Sequence, residues 1–335
     1  NTTNYTSMFE QCSALTSLDL SGFTAGSITS VEKMFKNCKL LNAITPFNLG
    51  TSSINFSAMF EQCRALTSIN MSQWGTSLNA SNTSRMFYYC NALTSLNFSN
   101  INTSATKDMS YMFAYCKALP TITFTSNFST ADVTNMRQMF QSTEALTSLD
   151  LSVFDTSQVT NMTSMFAYCG VGASFTLNLG SNFDTAKVIN MTGMFGGFAG
   201  SSLDLGDKFY TNDATNMRSM FNSCPNLSSL TLGSRFRAAA ATDMRTMFRN
   251  CSLLTTLDLS QFSTNSVTSI SSLIDGCVGL TEFKTPKNSN SKTITIPVKM
   301  YDYSANYTVY EAGSTFTLAR SEERRVGKEC RSRWS

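Results

Sequence analysis

Met-Phe followed three positions later by Cys marks the hydrophobic rhythm of this chain. Met-Phe recurs at Phe9, Phe35, Phe60, Phe87, Phe113, Phe140, Phe166, Phe195, Phe221 and Phe248, and a worn copy, Leu273-Ile274, extends the series. Neighbouring copies lie 25–29 residues apart, a period that predicts a solenoid in which each unit buries its apolar face only against its neighbours. One half of the unit reads V-T-N-M-x-x-M-F-x-x-C, as at 133–143, 159–169 and 188–198. Apolar residues at i, i+3, i+6, i+7 and i+10 fit one face of a short helix. Thr or Ser just upstream, as in Asp155-Thr156-Ser157, supplies oxygens for its first amides.

The other half reads L-x-x-L-x-L, as in Leu146, Leu149 and Leu151, with copies at Leu15/Leu18/Leu20, Leu66/Ile69/Met71, Leu93/Leu96/Phe98, Leu119/Ile122/Phe124, Leu227/Leu230/Leu232 and Leu254/Leu257/Leu259. Alternation of the last two apolar residues with a polar one predicts a short strand with one buried face. An aromatic follows shortly after, at Phe23, Trp74, Phe128, Phe154, Phe183, Phe209, Phe236 and Phe262, which predicts a second apolar spine. L-x-x-L-x-L followed by a short helix is the leucine-rich-repeat pattern, and the form LTSLDLSVFDTSQVTNMTSMFAYC at 146–169 resembles the BspA-type leucine-rich repeat of bacterial surface proteins. The resemblance covers residues 1–283 and implies a right-handed α/β repeat solenoid, with parallel strands on one side and short helices opposite. It also implies extracellular display at the cell surface and roles in adhesion or host and matrix contact. Thr143 and Phe198 stand where other copies have Cys, and the first four copies carry Tyr5, Val31, Phe56 and Thr83 in place of the earlier Met. Such drift suits a packing core.

Beyond the repeats, 284–319 predicts a small β-rich segment with alternating stretches at 293–296, 307–310 and 315–318, suited to covering the solenoid's last apolar face. The final stretch, 320–335, RSEERRVGKECRSRWS, resembles a translated sequencing adapter and is set aside as non-native. The chain opens inside a repeat without an initiating Met, so a fragment of a longer protein is expected.

Charge alters the picture once the tail is removed. The chain carries 25 basic and 22 acidic residues; the tail holds six and three of these, which leaves the body neutral at 19 of each. A neutral body argues against nucleic acid or an anionic membrane as partner, and no apolar run reaches the length of a membrane span. There is no histidine, which removes the usual general base and the commonest metal ligand. No G-x-S-x-G, P-loop or paired carboxylates appear, so neither catalysis nor a cofactor is expected. Asn-x-Ser/Thr sequons at Asn55, Asn79, Asn102 and Asn306 are no more than an Asn/Ser/Thr-rich chain yields by chance.

Nine cysteines occupy a single repeat position, Cys12, Cys38, Cys63, Cys90, Cys116, Cys169, Cys224, Cys251 and Cys277. Without C-x-x-C pairing they predict a ladder of buried free thiols filling space, ahead of disulfides or metal. The Met ladder (Met109/Met112 through Met244/Met247) reads likewise as core filler. The candidate ligand-binding residues are the polar ones between the last two apolar residues of each strand: Asp19, Asn70, Asn97, Asp150, Asn178, Asp204 and Asp258, with Thr123 and Thr231 in the same register. On a concave sheet these would form a polar row for an extracellular protein or glycan ligand, with no adjacent Asp pair to hold a cation. The leading function is a non-enzymatic binding or adhesion module; the alternative is a passive spacer or display stalk. An exposed aromatic or apolar patch on one face would mark the binder, and an even Ser/Thr coat the spacer.

Overall fold

In a computed structural model the described residues are 3–23, 26–284 and the strands Lys292–Thr295, Met300–Asp302, Thr308–Tyr310, Thr315–Leu318 and Glu323–Arg325. The chain forms two compact units, one of Asn1–Val171 with Phe175–Asp184, the other of Gly172–Ser174 with Thr185–Ser335. Both are built from the same turn of a parallel solenoid.

The L-x-x-L-x-L half makes the strand, as its alternation predicts, except in the copy at Leu119/Ile122/Phe124, which holds no strand. Ser148–Asp150 turns Leu149 inward between two exposed neighbours, while Leu146 and Leu151 are fully buried. The strands of this half pair parallel and in register as couples, while Ser53–Asn55, Leu78–Asn82 and Ile101–Asn102 form a separate parallel three-stranded sheet. In the first unit Ser17–Asp19 pairs with Ala43–Thr45, Ser68–Asn70 with Ser95–Asn97, and Ser148–Asp150 with Thr176–Asn178. In the second, Ser202–Asp204 pairs with Ser229–Thr231 and Thr256–Asp258 with Glu282–Lys284. Clefts open between couples. One of about 350 Å³ lies among Ile44, Phe60, Ile69 and Trp74 in the first unit; one of about 330 Å³ lies among Leu230, Phe236, Leu257 and Phe262 in the second.

The Met-Phe half corrects the helical expectation. Among the described residues the single helix is a 3-10 turn at Met71–Trp74, capped by Asn70; the Met-Phe segments are chains of tight turns. In 136–143 alternate amides donate backwards within the segment, Met139 to Met136 at 3.2 Å and Gln141 to Gln138 at 3.2 Å. The intervening amides donate outwards to the next turn, Gln138 to Thr163, Phe140 to Met165 and Ser142 to Ala167, at 2.8–2.9 Å. A helix would spend every amide on itself and, about 10 Å across, would hold successive turns too far apart to bond. The turn form satisfies the same i, i+3, i+4, i+7 apolar spacing and links its neighbours as well. The sequence favours it, since Ser, Thr and Asn fill much of the segment where Ala, Leu, Glu and Lys would support a helix.

The turn form needs a left-handed residue two positions before and two after each Phe. All eleven copies have both, from Ser7 and Gln11 to Ser272 and Gly276. Only Gly193, Gly197 and Gly276 are glycine; the other nineteen are residues such as Ser164 (φ 53°) and Tyr168 (φ 55°). Thr156 likewise departs from the helix-cap role expected of it. Its buried hydroxyl donates across to the Asp184 carbonyl at 2.7 Å, as Thr130 does to Asp155 at 2.8 Å and, in the second unit, Thr185 to Tyr210 at 2.7 Å.

Stacked turns produce the predicted spines. Phe9, Phe35, Phe60, Phe87, Phe113, Phe140 and Phe166 stack with centroids 5.6–6.0 Å apart and rings within 17° of parallel. Phe195, Phe221 and Phe248 do the same in the second unit at 5.4 and 5.3 Å. The cysteines do more than fill space. Seven of the eight buried thiols donate to the Phe carbonyl of the preceding turn, among them Cys63 to Phe35 at 3.1 Å, Cys90 to Phe60 at 3.2 Å, Cys116 to Phe87 at 3.2 Å and, in the second unit, Cys251 to Phe221 at 3.0 Å, whereas Cys169 accepts from the Thr143 hydroxyl at 3.3 Å. Where Thr143 replaces Cys, its hydroxyl bonds the Phe140 carbonyl of its own turn at 2.8 Å. The nine described cysteines are free thiols, and only Cys12 is exposed. Burial pushes Cys116 and Cys169 up to about 12.

After the repeats the expected β-rich segment supplies Lys292–Thr295 paired antiparallel with Thr315–Leu318, and Met300–Asp302 with Thr308–Tyr310. The expected ends Ile296 and Tyr307 lie outside the described residues. Glu323–Arg325, in the stretch set aside as a tail, pairs antiparallel with both the last repeat strand, Glu282–Lys284, and Met300–Asp302.

Candidate functional site

The predicted polar row is exposed at every position, yet each of its seven Asp and Asn residues is already occupied. The Oδ1 atoms of Asp19, Asn70, Asn97, Asp150 and Asn178 in the first unit, and of Asp204 and Asp258 in the second, accept the amide two residues on at 2.9–3.1 Å. These bonds form an Asx turn that takes the chain out of each strand. They hold the Asp19 carboxyl below its usual range, the Ser21 amide contributing most. Within couples, Asn178 Nδ2 also donates to Asp150 Oδ1 at 2.9 Å, and Lys284 lies 3.3 Å from Asp258 Oδ2. Two members flank clefts, Asn70 in the first unit and Asp258 in the second. The register sets Asp opposite Thr, Asn or Lys, never Asp. Among the described residues no group of three or more Cys, Asp or Glu is placed to hold a metal.

A second Asx ladder lies at the Asn of V-T-N-M. Asn135 and Asn161 accept the Arg137 and Thr163 amides at 3.1 and 3.0 Å, and the two pair as a bridge across turns. Asn190, Asn216 and Asp243 repeat this in the second unit.

The more distinctive surface lies on the Met-Phe side of the first unit. Successive segments S-R-M-F-Y-Y-C (84–90) and S-Y-M-F-A-Y-C (110–116) place tyrosines at the outward positions of adjacent turns. Tyr89 and Tyr115 stack at 4.2 Å and 4°. Tyr88 meets Tyr89, Tyr111 and Tyr115 edge-on at 4.7, 5.4 and 5.9 Å. Three arginines lie over these rings: Arg64 over Tyr89 at 5.7 Å, Arg85 over Tyr111 at 4.8 Å and Tyr88 at 5.7 Å, and Arg137 over Tyr111 at 5.9 Å. Burial in the cluster, reinforced by the neighbouring phenols, pushes the Tyr88 hydroxyl up to about 12. It therefore stays a hydrogen-bond donor through the physiological range. Sequence reasoning missed this cluster because its members are scattered over four repeats. The available signal was Tyr in the outward slots beside Met-Phe, and the left-handed turn decides which slots those are.

A family profile described as "Mycoplasma protein of unknown function, DUF285" matches residues 3–124, 91–206, 115–232 and 199–308 in overlapping spans. The chain belongs to the DUF285 family. Among solved structures, this DUF285 chain is similar to a leucine rich cell surface protein from Faecalibacterium prausnitzii A2-165, at 16% identity and a TM-score of 0.41, over 79% of this chain and 80% of that one. It is also similar to a leucine-rich-repeat protein from Bacteroides ovatus ATCC 8483, at 15% identity and a TM-score of 0.31, over 84% and 75%. None of the curated proteins compared with the DUF285 chain matches it.

Proposed function

We propose that this DUF285 chain is a non-enzymatic binding module displayed outside the cell, an adhesin-type surface in which a repeat scaffold presents side chains to a protein or glycan. The observation that carries the reading is the tyrosine–arginine cluster on the Met-Phe side of the first unit. Half-exposed aromatic side chains gathered on one face are what a recognition surface needs, and a spacer has no use for them. The solenoid sequence, without histidine or a catalytic motif, supports a role in contact. The resemblance of the repeats to BspA-type surface proteins supports extracellular display. The strand-side row, Asp19 to Asn178 in the first unit and Asp204 and Asp258 in the second, adds weak polar contacts whose sum gains from multivalency.

The test has two arms. Intact cells expressing the chain are treated with protease, and loss of the repeats from the cell blot is expected; full protection would overturn surface display. Purified chain is then passed over matrix-protein and glycan arrays, with Tyr88, Tyr111 and Tyr115 each replaced by Ser in a parallel sample. Retention that the serine variant loses supports the module. An array on which wild type and variant behave alike sinks it in favour of the spacer.

A further inference from the structure

We propose that the tyrosine–arginine face of the first unit binds an acidic polysaccharide, its carboxylates or sulfates taken by the guanidiniums of Arg64, Arg85 and Arg137 and its hydroxyls by the surrounding phenols. The inference rests on the binding-module reading above and names the ligand for it.

Three observations lead there. First, the three guanidiniums have no acidic partner among the described residues. Arg64 donates to Gln62 Oε1 at 3.0 Å and Arg137 to Gln138 Oε1 at 3.0 Å, while the nearby Glu61 and Glu144 are engaged by Lys36 and Lys117 at 3.2 and 2.8 Å. In the second unit Arg245, by contrast, finds Asp243. Second, the rings hold the guanidiniums. Arg85 lies over Tyr111 and Tyr88 at 4.8 and 5.7 Å, which restricts its freedom while the side chain stays exposed. A guanidinium ordered in advance loses less entropy when a planar oxyanion docks on it. Third, the arginines come from three turns of the coil, so charge is presented stepwise along it, as a polymer with one anion per sugar or per few sugars requires.

The same geometry disfavours other anionic polymers. Single-stranded nucleic acid stacks its bases on open ring faces, whereas here Tyr89 is covered by Tyr115 and Arg64, and Tyr111 by Arg85 and Arg137. It also needs a long basic track, and the body of the chain is charge-neutral. A peptide or protein partner is anchored by an apolar side chain in a desolvated pocket, and both clefts described above lie on the strand side.

The experiment measures binding of the full chain to immobilised hyaluronan, chondroitin sulfate, neutral dextran and polyglutamate by biolayer interferometry. Binding to hyaluronan or chondroitin sulfate is expected, weakening as salt rises, with none to dextran. Each Arg→Ala change at 64, 85 and 137 is expected to weaken it about ten-fold, the order of one lost charge-assisted hydrogen-bond pair. Arg85→Lys should restore little of the loss, since the ammonium keeps the charge and lacks the fork. All three arginines are exposed, so circular dichroism should report an unchanged fold; Arg235→Ala, over Tyr210 in the second unit, should bind as wild type. Stronger binding to polyglutamate or dextran through the same arginines overturns the acidic-polysaccharide assignment and keeps the binding module. Glycan binding indifferent to the triple alanine variant overturns the site. A chain that retains none of the four probes and no matrix protein overturns both readings.

Discussion

Replacing serine by glycine at a left-handed position tests the Met-Phe turn directly, because turn and helix predict opposite signs. Ser164, Ser223 and Ser272 sit at φ 53°, 59° and 55° and are half-buried. A non-glycine residue in this region pays roughly 1–2 kcal/mol that glycine does not. Glycine in turn returns about 0.4–1 kcal/mol through the greater freedom of its unfolded chain. The balance is a stabilisation of ~0.5–1 kcal/mol per site, and about 2 kcal/mol for the triple variant if the separated sites add. In a right-handed helix each change would instead cost roughly 0.5 kcal/mol, so the variants would melt early. Urea unfolding followed by circular dichroism reads the shift in midpoint. The reverse change, Gly193→Ser at φ 60°, should lower the midpoint by a comparable amount. A lower midpoint for the serine-to-glycine variants would refute the left-handed turn.

Phe140→Ala should cost about 4 kcal/mol, since it empties a fully buried site and removes the stacks on Phe113 and Phe166 at 5.7 and 5.8 Å; a loss below about 1 kcal/mol in denaturant titration would contradict the continuous stack. Iodoacetamide footprinting read by mass spectrometry should modify Cys12 within minutes while Cys63, Cys90, Cys116 and Cys169 stay protected, because burial disfavours their thiolates; equal labelling would refute the buried ladder. At Cys116, threonine should be tolerated better than alanine, as it can reproduce the Thr143 bond to a Phe carbonyl, and matched melting of the two variants would count against any role for that bond. Hydrogen bonding to Arg245 outweighs the Asp243 carboxyl's burial and holds it below its usual value. A depressed folded pKa adds stability above the unfolded value and loses it as pH falls through the folded one, so Asp243→Asn should be less stable than wild type at pH 7. The gap should close below about pH 4; a gap constant with pH would refute the linkage.

Periodicity alone determined the solenoid, the strand at all but one of the L-x-x-L-x-L copies, the Phe and Met spines and the inward thiols, because a unit of 25–29 residues can bury those positions only against its copies. Asp150 and its equivalents were legible as outward polar residues. Their Asx turns were not, since an oxygen that accepts the amide two residues on looks in sequence like any surface carboxamide or carboxylate. The Met-Phe segment shows what only tertiary structure decides. Met136, Met139, Phe140 and Thr143 have a spacing that an α-helix and a pair of left-handed turns satisfy equally, so the apolar pattern cannot choose between them. The choice falls to the backbone amides: in the turn form Gln138, Phe140 and Ser142 reach carbonyls of the next turn, a gain that exists only when a neighbour is stacked there. The same backbone choice sets which side chains face outward, and so brings Tyr88, Tyr89, Tyr111 and Tyr115 together with three arginines from turns up to 73 residues apart in sequence, Arg64 to Arg137. No local pattern carries that proximity, because it depends on how tightly one turn rests on the next.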